Sequence, residues 1–157
     1  MGIYTIFSHL KNAEAGAAEL YLFMAQKISH KYPDVGMFLK NLSDEEKLHE
    51  KQVEMARNFF LEATDLFLQK EDAESMLLHV LNKTEETRRY FLENWDTLTP
   101  EQIIRMVTHL ELEIENRHHS FYIESTDTGI KTLVDSLRGA DRAHVEALNN
   151  FLDRYKD

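Results

Sequence analysis

Two short segments of this 157-residue chain could do chemistry. Glu46-x-x-His49 and Asp141-x-x-His144 each set a carboxylate and an imidazole one helical turn apart. In both cases the pair interrupts an otherwise apolar stripe. Phe38, Leu42, Glu46, His49, Val53, Ala56 and Phe60 recur at steps of three and four, as do Val134, Leu137, Asp141, His144, Leu148 and Phe151. The polar groups therefore point where core residues belong. A buried, unpaired carboxylate costs several kcal/mol even after relaxation, so two of them beside two imidazoles call for a compensating positive charge. A metal ion supplies it. The chain has no cysteine, which excludes disulfides, thiolate zinc sites and thiolate-held iron centres and leaves nitrogen and oxygen donors.

The elements that would position these groups are helices. With only two prolines and five glycines, the chain lacks the turn residues that an all-β fold of this length needs. Four long periodic segments are expected at about 5–30, 34–64, 100–124 and 130–155. The first carries Phe7, Leu10, Glu14, Ala17, Tyr21, Met24 and Ile28 on one face, and closes at His30-Lys31-Tyr32-Pro33. Asp34 is the expected N-cap of the second. Thr99-Pro100-Glu101-Gln102 is a capping box with proline at the first helical position. Thr126-Asp127-Thr128-Gly129 reads as a turn. Residues 65–98 are too apolar for a plain linker, and two short helices, about 71–82 and 83–96, account for them. Such a crossover lets the second and third long helices run parallel. The expectation is a single all-α domain over residues 1–157, a four-helix bundle of two helical hairpins joined by a long, partly helical crossover.

The first and third long helices supply further inward carboxylates. Glu14 leads to Ala17 and Tyr21, and Glu115 leads to His118 and Tyr122, at matching spacings. Glu14 and Glu46 are equidistant from the first turn, and Glu115 and Asp141 from the second. Antiparallel hairpins would bring each pair to one level. Glu14, Glu46, Glu115 and Asp141 then carry four negative charges, which two divalent ions cancel. Oxygen and imidazole donors suit iron, manganese or zinc. Glu111, one turn before Glu115, falls at the margin of the stripe and reads as an exposed glutamate or a transient cation site on an entry path. Met24, Met55 and Met106 read as core filler. Phe59, Phe60 and the apolar crossover fit either a second subunit or a self-contained core.

Twenty-eight acidic against 18 basic residues give a net charge of −10 and no basic tract that could follow a phosphate backbone. Nucleic acid is not an expected partner. The first 16 residues hold no signal-peptide-like apolar run, and no stretch reaches membrane-span length. A soluble, cytoplasmic protein with no membrane association is the expectation.

A glutamate from each of two helices with a carboxylate-x-x-histidine pair from each of two others is the donor pattern of ferritin-like di-iron bundles. With its doubled motif and trailing tyrosines, the chain resembles the rubrerythrin family of the ferritin-like superfamily along essentially its whole length. That resemblance implies two irons per chain, with Glu14 and Glu115 as terminal ligands. It places Glu46 and Asp141 in bridging positions, with His49 and His144 completing the two metals. It also implies that Tyr21 and Tyr122 hydrogen-bond the carboxylates, where an ordinary reading makes them core aromatics. Three features depart from the family. Asp141 is one methylene shorter than the usual glutamate. His118 stands where rubrerythrins carry an additional glutamate, and is either a seventh ligand or a histidine buried beside the site. The cysteine-bound rubredoxin domain is missing, which implies a separate electron-donor protein. The implied activity is reduction of hydrogen peroxide or oxygen at a di-iron centre, in a homodimer or larger homo-oligomer. The alternatives are a ferritin-like ferroxidase or an iron storage or carrier protein, and a bundle in which metal serves only structure.

Overall fold

Long apolar stripes without helix breakers predict helices, and helices are what form. The computed structural model describes residues 3–59, 70–120 and 128–155, excepting the side chains of 3–6, 59, 70–74, 76, 77, 117–120, 130 and 134. It contains α1 (Ile3–Ile28), α2 (Pro33–Phe59), α3 (Lys70–Asn94), α4 (Pro100–Ser120) and α5 (Thr128–Leu152), followed by a 3-10 turn at Asp153–Tyr155. No strand occurs among the described residues, and none of the helices there is long and apolar enough to cross a membrane.

Local chemistry sets several of the boundaries. At the start of α4, the Thr99 hydroxyl accepts the Gln102 N–H at 3.2 Å and the Gln102 side chain accepts the Thr99 N–H at 2.9 Å. This is the reciprocal capping box expected from the sequence. The cap of α2 sits two residues earlier than expected. Pro33 is its first residue and the Tyr32 carbonyl accepts the Gly36 N–H at 2.9 Å, so Tyr32 stands outside the helix where Asp34 was expected to cap it. Proline has the backbone angle of a first helical position and no N–H to leave unpaired. Asp34 instead lies in the first turn, where its charge faces the positive end of the helix dipole. Thr128 and Gly129, expected in a turn, already belong to α5. The rest of that turn, 121–127, and the expected end of the second helix beyond Phe59 lie outside the described residues.

The crossover is one helix and not two. α3 runs unbroken through Asn82 and Lys83, because neither glycine nor proline stands there to stop it. The hydroxyls of Thr84 and Thr87 bond back to the carbonyls of Val80 and Lys83, at 2.9 and 2.8 Å, without interrupting it.

Side-chain pairs give the helix directions. Lys11–Glu54 and the bond from the Ser43 hydroxyl to the Ala18 carbonyl step oppositely along α1 and α2, so these two are antiparallel. Thr84 beside Gly16, Phe91 against Phe23 and Trp95 beneath Lys27 advance together, so α3 is parallel to α1. His79 meets Glu113 at 3.0 Å, and the two lie at comparable distances from the connection at 95–99, which makes α4 antiparallel to α3. Glu45 and Glu46 facing His144, and Phe38 facing Phe151, make α5 antiparallel to α2. α4 therefore runs parallel to α2, as a long crossover requires.

The core is built from the predicted faces. Phe7, Leu10, Ala17, Tyr21, Met24 and Ile28 of α1 are buried, with Leu42, Val53 and Ala56 of α2 and Leu137, Leu148 and Phe151 of α5. Met24 is in the core and Met106 packs partly against it. Met55 does not, at 73% exposed, because two residues after Val53 it is turned about 200° around α2, onto the outer face. At the end holding residues 29–32, the Lys31 ammonium donates to the Asp96 carbonyl at 2.6 Å and the Tyr32 hydroxyl to the Leu98 carbonyl at 3.1 Å. These bonds tie the α1–α2 turn to the α3–α4 connection.

Candidate metal centre

The inner face of α2 places Glu46 and His49 one turn apart and buries both. His49 Nδ1 lies 3.1 Å from Glu46 Oε2. The antiparallel α1 brings the buried Glu14 to the other side of the same nitrogen, 3.8 Å away through Oε2. These three groups form one half of the centre.

The other half is assembled from three helices. His144 of α5 sets Nδ1 3.0 Å from Glu46 Oε1, the second oxygen of the carboxylate that meets His49. Glu111 of α4, 0% exposed, lies 3.5 Å from the same nitrogen through Oε2. Its other oxygen accepts a hydrogen bond from the Tyr21 hydroxyl of α1. Asp141 is buried one turn before His144 on the same helix face. On the outer side of the ring, His144 Nε2 is 2.7 Å from the carboxylate of Glu45. The two imidazoles stack with centroids 5.3 Å apart and planes 27° apart, so Glu46 spans them with one oxygen each.

Electrostatics at this layer is dominated by buried anions. Burial by itself lowers the pKa of an imidazole. The carboxylates of Glu14 and Glu46, 3.8 and 3.1 Å from its Nδ1, outweigh it at His49 and push that group up to about 10. Glu111 and Glu46 do the same at His144, up to about 11. Tyr21 is raised well above its ordinary value by burial and by the charges of Glu111, Glu46 and Glu14, so its phenol stays neutral and keeps its proton for Glu111. Among the described residues, neither Glu46 nor Glu111 has a lysine or arginine within ion-pair distance; the two imidazoles are their basic neighbours.

Glu46, His49 and His144 can hold a metal ion. Their donor atoms all lie within 4.8 Å of one another. Two donors bound at about 2.1 Å to a common ion and separated by a tetrahedral or octahedral angle are roughly 3.0–3.4 Å apart. The donor separations of 3.0 to 3.8 Å fall around that range. Two buried atoms sharpen the fit. His144 Nδ1 and Glu111 Oε2 face each other, and neither has a hydrogen bond of acceptable alignment. Buried polar atoms that gather without bonding one another suit a shared cation.

The structure brings Glu14, Glu46, His49 and His144 together as the stripes require, with Tyr21 touching a carboxylate of the set. Glu115 lies one turn farther along α4, half-buried, with Arg142 Nε 3.7 Å from its carboxylate. His118 belongs to α4, but its side chain is outside the described residues, as is Tyr122 altogether. Two participants were missed by the sequence reading. Glu111 was read as an exposed glutamate or a transient cation site on an entry path; it is fully buried, with its carboxylate bonded to Tyr21. The spacing from Glu111 to Glu115 is one helical turn, so the signal for either was the same. Glu45 was not singled out, since a glutamate beside an inward residue is ordinary on a solvated helix flank. Compared with models of known protein families, with curated proteins and with solved structures, the chain matches none.

Proposed function

We propose that this chain is a ferritin-like four-helix protein with a carboxylate-bridged di-iron centre, an oxidoreductase of the rubrerythrin type that reduces hydrogen peroxide or oxygen. The observation that carries this reading is the division of Glu46 between two imidazoles, each backed by a further buried glutamate. Glu14, His49 and one oxygen of Glu46 make one half-site. Glu111, His144 and the other oxygen make the second. Asp141, buried one helical turn before His144, supplies a further carboxylate in this reading.

When bound, the two irons supply one electron each, so that peroxide with two protons yields two waters. The residues around them have separate tasks. Glu14, Glu46, Glu111 and Asp141 bring four buried negative charges, which two divalent ions neutralise and which favour the more highly charged oxidised metals. Tyr21 orients the Glu111 carboxylate and holds a proton at the edge of the layer. Leu42, Ala17, Ile114 and Leu148, each one helical turn from Glu46, Glu14, Glu111 and His144 respectively, are buried apolar neighbours along the same helix faces. The two imidazoles must give up their acidic protons on loading, so metal uptake releases protons.

Anaerobic reconstitution with ferrous iron tests the proposal. About two irons per chain are expected, with repeated consumption of peroxide when a chemical reductant is supplied. An unchanged iron stoichiometry in a Glu46→Ala, His49→Ala double variant overturns the assignment of the site. A single oxidation followed by retention of many irons per assembly replaces the peroxide reductase reading with iron storage.

A further inference from the structure

The two histidines are not held alike. His49 directs Nδ1 into the centre, and among the described residues its other ring nitrogen has no protein acceptor. His144 has a carboxylate near each ring nitrogen but a hydrogen bond only on the outer one. Nδ1 faces Glu46 at 3.0 Å, and Nε2 meets the Glu45 carboxylate at 2.7 Å. The two carboxylates on opposite nitrogens of one ring come from consecutive residues of α2. Successive helical residues project about 100° apart, so α2 sends Glu46 into the interior and Glu45 along its flank toward α5. Glu45 is 60% exposed in its side chain while His144 is 4% exposed, so the contact leads from solvent to the buried layer.

We infer that Glu45 is a positioning residue of the centre: its carboxylate accepts the Nε2 proton of His144, and so fixes that imidazole with Nδ1 turned toward Glu46 and Glu111. The inference rests on the two-metal reading of the site. A carboxylate on the outer nitrogen of a ligating histidine selects the tautomer whose inner nitrogen carries the lone pair and strengthens it as a donor. The Nδ1 atom here is buried and lacks an aligned hydrogen-bond partner, so the ring's orientation is owed to its outer contact. The half-site of His144 is thereby preorganised, and that of His49 is not held in the same way.

Zinc titration of the metal-free protein, with long-range proton–nitrogen NMR of the histidine rings, tests this. The wild-type protein is expected to bind two zinc ions with His144 as its Nε2-protonated tautomer. Glu45→Ala should weaken one of the two equivalents by about 10- to 100-fold, leave the other unchanged, and disturb the ring signals of His144 but not those of His49. Glu45→Gln keeps an acceptor oxygen and should restore the tautomer and most of the affinity. Asp44→Ala, which removes a neighbouring exposed carboxylate paired with Lys40, should change neither readout. If Glu45→Ala behaves as Asp44→Ala does in both affinity and ring signals, the inference fails while the two-metal reading stands. If the wild-type protein takes up no zinc, both fall.

Discussion

α2 and α5 carry the same local pattern, a carboxylate three residues ahead of a histidine, and use it differently. In α2 the pair is self-contained: Glu46 meets His49 of its own helix, and Glu14 joins from the neighbouring antiparallel helix. In α5 the histidine is served from across the interior, by Glu46 and Glu45 of α2 and Glu111 of α4. A motif thus specifies which residues face inward, and the packing of helices decides which of them meet. The half-site of His144 depends on three helices holding register, whereas that of His49 needs only one hairpin joined by residues 29–32.

Removing the shared group should have the largest effect. Glu46→Ala takes an oxygen from both half-sites, and metal affinity at both is expected to fall by about 100-fold or more, as read by zinc titration. Loss confined to one equivalent would break the symmetry assigned to this carboxylate.

The next test separates neighbours on α4. Glu111→Gln should weaken one zinc equivalent by about 10- to 100-fold. Glu115→Gln, whose carboxylate lies near the exposed Arg142, should change affinity by less than about fivefold. The reverse ranking would place α4 one turn away from the register described above.

Acidity probes both halves together. In the metal-free protein, folding raises His49 from 6.5 to about 10 and His144 from 6.5 to about 11. The stability they contribute is therefore complete below about pH 6.5, declines as pH rises, and is gone above about pH 11. Zinc competes with the same protons, so its affinity should increase with pH across this window. Thermal denaturation with and without zinc, from pH 6 to 10, should show the two forms diverging. Parallel curves would mean that the imidazoles are not the metal donors.

Glycine substitutions give the smallest effects and compare packing away from the metal layer. A Cβ on Gly36 of α2 would run into Ser29, with the Ser29 backbone Cα only 3.0 Å away. Gly36→Ala is expected to destabilise by about 1–3 kcal/mol. Gly139 of α5 faces open space, and Gly139→Ala should stabilise by up to about 1 kcal/mol, since alanine is the better helix residue. Chemical denaturation measures both.

These contrasts also mark what could be read from the chain. The inward faces of α1, α2 and α5 were legible because a helix imposes its period on its own residues, and the capping box at Thr99 was legible because both partners lie within one turn. The unbroken course of α3 was less so: the apolar pattern changes near Asn82, but nothing there can end a helix. Glu111 was misjudged for a different reason. Glu111 and Glu115 share a face, and the choice between them depends on the axial position of α4 relative to α1, which the Tyr21–Glu111 bond marks. Glu45 acquires its meaning only from α5, distant in sequence.

α3 runs parallel to α1 and returns the chain to the end from which α4 can run parallel to α2. Without it, the α1–α2 and α4–α5 pairs would be two separate molecules, and Glu46 would find His144 only by collision. Tethering replaces that encounter with an effective concentration, on the order of millimolar for short linkers. In a cell, where one protein's copies are far more dilute, this 25-residue helix makes the meeting of the two halves independent of how much protein is present.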